Sequence, residues 1–165
     1  MILPIIKYPN KVLRIPGKDI PLPASLIVRK LAANMVSTVQ KAKGIGLAAP
    51  QVGQSLNIIV INLEHLGLPV FALLNPKITA ASKKKTKMEE GCLSIPGVFG
   101  LVARPETVTV KGFTVEGKEV EFKAEGILSK VVQHEIDHIN GILIIDKISK
   151  YTEGKELISQ EKAGL

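Results

Sequence analysis

Between Ser25 and Ala42 the apolar residues Ile27, Leu31, Met35 and Val39 recur at every fourth position, which predicts one face of a helix. Lys41 and Lys43 near its end and Gly44 beyond form a C-terminal stop. Asn57 to Leu63 is a run of Ile and Val that reads as a buried strand. Val70 to Leu74 reads as another, ended by Asn75-Pro76. From Thr107 to Val115 valine alternates with polar residues, and the alternation resumes from Val120 to Ala124. With Glu116-Gly117-Lys118 between them, these two segments predict a hairpin. A second helix is expected from about Ile127 to Asn140, stopped by Gly141, with a short apolar run from Ile142 to Ile145 and a short fraying helix from Thr152. The first 23 residues carry five prolines and read as extended chain. Mixed or antiparallel sheets packed around one central helix make this an α+β fold, expected to form a single domain over residues 1–165.

Composition narrows the class. Hydrophobic residues make up 45% of the chain, with four Phe, two Tyr and no Trp, so the core must be aliphatic. The formal net charge is +7, and part of the excess lies in Lys83-Lys84-Lys85 and Lys87. The simplest reading of that run is a solvated loop; contact with the ribosome is the functional alternative. No aromatic residues are interleaved with these lysines, which argues against a single-strand nucleic-acid surface. One cysteine, Cys92, excludes an intramolecular disulfide and suits a reducing compartment. The N-terminus lacks the layout of a signal peptide and no apolar stretch has the length of a membrane span, so a cytoplasmic protein is expected.

The chemistry concentrates on the second helix. His134-Glu135-Ile136-Asp137-His138 is an H-E-x-x-H pattern. Residues four apart on a helix lie one above the other, so His134 and His138 can turn two imidazoles to one metal ion. Glu135 lies about 100° around the helix from His134, within reach of a water that the ion makes acidic. Val131, His134, Glu135 and His138 share a face; Leu128, Val132, Ile136 and Ile139 form an adjoining apolar face; Lys130, Gln133, Asp137 and Asn140 are left for solvent. An ordinary amphipathic helix with two surface histidines would also fit. But the chain has only three histidines, and two of them fall here at ligand spacing. The third, His65, reads as a solvated loop residue.

A catalytic metal site has three protein ligands and an open position. Cys92, in the tightly shaped stretch Glu89 to Gly97, is one candidate for the third ligand, although a lone cysteine is more often a small buried hydrophobe. A carboxylate, Asp146 or Glu153, is the other, and would make a small zinc peptidase.

Three motifs can be read together at this point. Gly44-Ile45-Gly46-Leu47-Ala48-Ala49-Pro50-Gln51, Glu90-Gly91-Cys92-Leu93-Ser94 and Gln133-His134-Glu135-Ile136-Asp137-His138 resemble, in order and spacing, the three signatures of the peptide deformylase family. The opening from Ile5 to Pro16 resembles a deformylase N-terminus as well, and the likeness runs from about Ile2 to Ile148.

The resemblance implies a hydrolase that removes the N-terminal formyl group from formyl-methionine of nascent polypeptides and releases formate. It implies one divalent metal ion per chain on Cys92, His134 and His138. In this family that ion is typically iron(II), and zinc, nickel or cobalt can occupy the same site. By the same resemblance Glu135 is the general base and then the acid, while the Gln51 amide and the backbone N–H of Leu93 stabilise the developing oxyanion. Gly46 and Gly91 would line a cleft that holds an extended peptide, Ile45 would also contact substrate, and Ile127, Lys130 and Val131 would form part of the pocket for the methionine side chain. Lys130 departs from the apolar residue common near its position, and Phe99 from the basic or tyrosine residue of some members. A non-catalytic metal-binding or ribosome-associated module is the third reading; Gln51, Leu93 and Glu135 have no purpose in it.

Overall fold

The computed structural model describes the backbone of residues 1–163 and the side chains of residues 1–159. Among the described residues, eight strands and three α-helices follow one another. Helix α1 spans Leu26–Lys41 and strands β1 and β2 span Gly46–Ala48 and Ile58–Ile61. Strands β3, β4 and β5 are Phe71–Ala81, Lys85–Cys92 and Ile95–Pro105. Thr107–Phe113 and Glu119–Glu125 form β6 and β7, Gly126–Ile139 is α2, Ile148–Glu153 is β8, and Lys155–Ala163 is α3.

Two antiparallel sheets result, in the orders β1-β2-β3-β6-β7 and β4-β5-β8. The five-stranded sheet is covered on both faces, and β2 shows why its sequence is a continuous apolar run. Ile59 and Ile61 point to α2, where they meet Val132, Ile136 and Ile139. Ile58 and Val60 point the other way, to Met35 and Val39 of α1. Each such side chain, fully removed from water, contributes about 1.5–3 kcal/mol. A third cluster, around Leu13, Ile95, Val98, Leu143 and Ile144, seats the smaller sheet on the N-terminal segment.

Several expectations are corrected. Ile27 does not share the buried face of α1: it is 81% exposed, whereas Met35 and Val39 are fully buried. A strict four-residue repeat drifts by about 40° per step on a 3.6-residue helix, and by about 120° from Ile27 to Val39. Asn75-Pro76 does not end β3. Asn75 adopts φ +49°, the register shifts there, and the strand continues past a bulge. The Asn75 amide explains its place, since it both accepts from the Ile20 N–H and donates to the Ile20 carbonyl. The stretch Glu89 to Gly97 is a hairpin rather than a loop, with Leu93-Ser94 as the turn between β4 and β5. Thr152 belongs to β8, and the last helix starts at Lys155.

Helix α2 follows β7 without a linker. Gly126 makes this possible, because its φ of +57° turns the chain from strand to helix where a side chain would be strained. The side of α2 expected to face solvent is partly covered. Gln133 is buried and donates to the Pro105 carbonyl and the Ser129 hydroxyl, and Asp137 is paired with Arg104 and Lys147. The cause is β5, which packs along this side of the helix.

Candidate metal centre

Helix α2 presents His134 and His138 one turn apart, with Nε2 to Nε2 at 3.2 Å. Cys92, the last residue of β4, brings its Sγ to 3.2 Å from His138 Nε2. The three donor atoms lie within 4.8 Å of one another, and form the one such group among the described residues. Donors bound tetrahedrally to one ion at the usual N and S bond lengths stand roughly 3.3–3.6 Å apart, so the separations fit a single ion. The charge environment fits as well. Burial opposes a charged His134, but hydrogen bonds to Cys92 and Glu90 and the Glu135 carboxylate outweigh it and hold its pKa well above the ordinary value. Burial, then the charges of His134 and Arg104, push His138 well below its ordinary value, leaving a neutral ring with a lone pair to donate.

Behind the ligands lies a buried ion network. His134 Nδ1 is 3.2 Å from Glu90 Oε1, so Nε2 is left to face Cys92 and His138. Arg104 Nε donates to both Glu90 oxygens, at 3.1 and 2.9 Å, and its Nη1 donates to Asp137 at 2.8 Å. Burial favours the neutral Glu90, but the hydrogen bonds from His134 and Arg104 win and hold its carboxyl below the usual range. Glu90 and Arg104 were not singled out as site residues by sequence reasoning. A signal existed: Val98, Gly100, Val102 and Arg104 occupy the inward phase of β5, and an arginine continuing that phase requires a buried partner.

In front of the ligands is a cleft of about 440 Å³. Ile45 and Gly46 line it from the β1 side, Gly91 and Leu93 from the hairpin, and Val131, His134 and Glu135 from α2. Gln51 and Cys92 also reach it. His138 lies beneath the surface, 1% exposed. Ile127 is outside the lining and packs, half-buried, against the core cluster that includes Val131 and Val132. Phe99 and Lys130 line the cleft, while His65 is exposed in a short turn elsewhere. Asp146 is engaged by Arg14 and by the Leu143 N–H, and Glu153 is exposed on β8. The peptidase alternative therefore has no carboxylate in the donor group.

Two side chains face the cleft with defined chemistry, Glu135 and Gln51. Glu135 is 3% exposed, and burial pushes its carboxyl up to about 7 against the opposing charge of His134. A Cβ on Gly46 would lie 2.3 Å from Glu135 Oε1, so any side chain there would displace this carboxylate. The Gln51 amide is held at both ends: Oε1 accepts from the Ala48 N–H at 2.8 Å, and Nε2 donates to Ser94 Oγ at 3.1 Å, with Cys92 Sγ at 3.5 Å. The N-terminal segment ties these parts together, as the Ile6 N–H donates to the Gln51 carbonyl and the Tyr8 N–H to the Ser94 carbonyl.

The chain is similar to known proteins over most of its length. Residues 2–153 match the family model described as polypeptide deformylase. The peptide deformylase of Halothermothrix orenii is 48% identical over 160 residues, which cover 95% of this chain and 99% of that protein. The crystal structure of peptide deformylase from Thermotoga maritima superposes with a TM-score of 0.85 at 36% identity, covering 90% of this chain and 99% of that one. The Met-Ala-Ser-bound class I type b peptide deformylase of Acinetobacter baumannii gives 0.83 at 34% identity, with the same coverage.

Proposed function

The chain belongs to the peptide deformylase family and is an enzyme that removes the N-terminal formyl group from nascent peptides; from that premise we propose which of its residues perform the reaction. The observation that carries the assignment is the convergence of Cys92, His134 and His138 on one point at the floor of a cleft that Glu135 also lines.

In this reading Cys92, His134 and His138 would hold one divalent ion, iron(II) in the cell; two imidazoles and a thiolate are a sensible donor set for iron(II) or zinc. The ion supplies Lewis acidity and makes a water nucleophilic at neutral pH. Glu135 takes the proton of the attacking water and delivers it to the departing amine nitrogen. Its buried position suits both halves of that task, because burial brings its proton affinity near neutrality. As the formyl oxygen gains charge, it meets the Nε2–H of Gln51 and the backbone N–H of Leu93. Ser94 and Ala48 keep the Gln51 amide from rotating, so little reorganisation accompanies the charge.

The substrate backbone lies along β1. This strand pairs on one side only, with β2, and its other edge borders the cleft at Gly46. An extended peptide can add there as a further strand. Gly46 and Gly91 keep the walls low, and Ile45 and Val131 offer apolar surface to a methionine side chain. The Acinetobacter relative was solved with Met-Ala-Ser bound, which supports a peptide as the ligand class.

No helix among the described residues is long and apolar enough to cross a membrane. We place the enzyme in the cytoplasm, where nascent chains are made. Lys83, Lys84, Lys85 and Lys87 are exposed around the β3–β4 turn and form a candidate contact with the ribosome. Cosedimentation that is unchanged after all four are neutralised would remove that contact.

The test of the reaction uses protein prepared without oxygen, a formyl-methionyl peptide, and metal analysis of the same sample. Formate release with about one iron per chain is expected, and Cys92→Ala should lose both. A Cys92→Ala protein that keeps its metal would contradict the ligand set.

A further inference from the structure

Three lysines ring the mouth of the cleft. Lys7 comes from the N-terminal segment, Lys43 from the end of α1, and Lys130 from α2 one turn before His134. They approach from three separate elements, so no single local sequence preference accounts for them. Lys43 adopts φ +54°, a conformation in which glycine or asparagine would be more comfortable, so the backbone does not explain a lysine there.

None of the ion pairs among the described residues involves these three side chains. Lys7 donates to the Leu93 carbonyl and Lys130 to the Glu89 carbonyl, partners that carry no charge. An ammonium has three donors, so each retains hydrogen-bonding capacity toward the cleft. Two carboxylates line the same cavity, Glu90 and Glu135. Glu90 is matched by Arg104, and Glu135 is buried at the floor. The rim that a peptide meets first is therefore cationic.

We propose that Lys7, Lys43 and Lys130 form a cationic rim that selects formylated peptides carrying acidic residues just after the formyl-methionine, and disfavours those carrying basic ones. The inference rests on the deformylase reading and adds to it the charge class of the preferred substrates. A cleft lined by one sign of charge concentrates ligands of the opposite sign, and the effect weakens with salt. Discrimination then arises as the peptide binds, in KM more than in kcat, because the rim does not touch the formyl group.

The test compares C-terminally amidated formyl-Met-Glu-Glu, formyl-Met-Ala-Ala and formyl-Met-Lys-Lys with the metal-loaded enzyme; amidation removes the peptide's own terminal carboxylate. At low salt kcat/KM for the glutamate peptide should exceed that for the lysine peptide by roughly tenfold or more. The ratio should shrink toward one near 1 M salt, where the screening length is about 3 Å. Replacing all three lysines by Gln should bring the ratio near one at low salt. Single Lys43→Glu, a milder change to the fold, should lower the ratio as well. Because each readout is a ratio within one protein, a general loss of activity does not disturb it. A parent ratio near one, or a ratio that survives the triple substitution, would overturn the proposal while leaving the deformylase reading intact. Absence of formate from all three peptides would instead sink the underlying reading.

Discussion

At the scale of single residues, the site depends on contacts that leave no spare room. Gly46 is the clearest case, since an added methyl would sit 2.3 Å from Glu135 Oε1. Gly46→Ala should push the carboxylate aside while leaving Cys92, His134 and His138 untouched. A displacement of about 1 Å at a catalytic group costs on the order of a hundredfold in rate. Formate release should fall by that order with metal content unchanged, and a variant of normal activity would show that Glu135 tolerates the shift. The pairing of His134 with His138 was readable from the sequence because four residues on a helix place one over the other, whereas Gln51 and Leu93 entered only through the family resemblance. Ser94 was quoted within a motif but given no role. Its hydroxyl matters only through Gln51, 43 residues away in the chain, and a contact of that kind has no periodicity to announce it.

At the scale of elements, the hairpin of β4 and β5 carries both the cysteine ligand and the network behind the histidines. Arg104 on β5 holds Glu90 on β4 and Asp137 on α2, so one side chain joins three elements. Arg104→Met would leave two carboxylates without their main partner. Breaking a buried ion pair from one side costs about 3–5 kcal/mol, or roughly 10 °C in Tm for a chain of this length. Calorimetry should record a drop of that size, and a loss within about 2 °C would mean that water or neighbouring groups compensate. This hairpin was the element hardest to recognise in advance. Gly91, Pro96 and Gly97 look like loop residues, and the lysines of β4 hide its alternation. Helix α2 was legible almost to the residue. Its covered side was not, because amphipathic patterning reports what a helix can expose and not which strand lies across it. Gln133 and Asp137 are polar residues that found buried partners.

At the scale of the whole molecule, the ligands come from two elements, β4 of the smaller sheet and α2 packed on the larger one. An ion bound there joins the two sheets across the active cleft. Because it binds the folded chain and not the unfolded one, it adds stability by mass action, about 2.7 kcal/mol at a hundred times Kd. Stripping it with a chelator should lower Tm by roughly 5–10 °C, and one equivalent of metal should restore it; a Tm indifferent to metal would place the ion outside the fold's own energetics. The overall α+β architecture could be read from the mixture of periodicities. The division into two sheets could not, since strand order depends on long-range pairing such as β5 with β8. The most direct test of the central claim is made on Glu135→Gln, with metal content and formate release measured on one anaerobic sample. Retention of about one metal per chain with activity reduced on the order of a hundredfold or more is the expected result. A variant that still turns over at the parent rate, or one that loses its metal together with its activity, would contradict the assignment of Glu135 as the group that moves the proton.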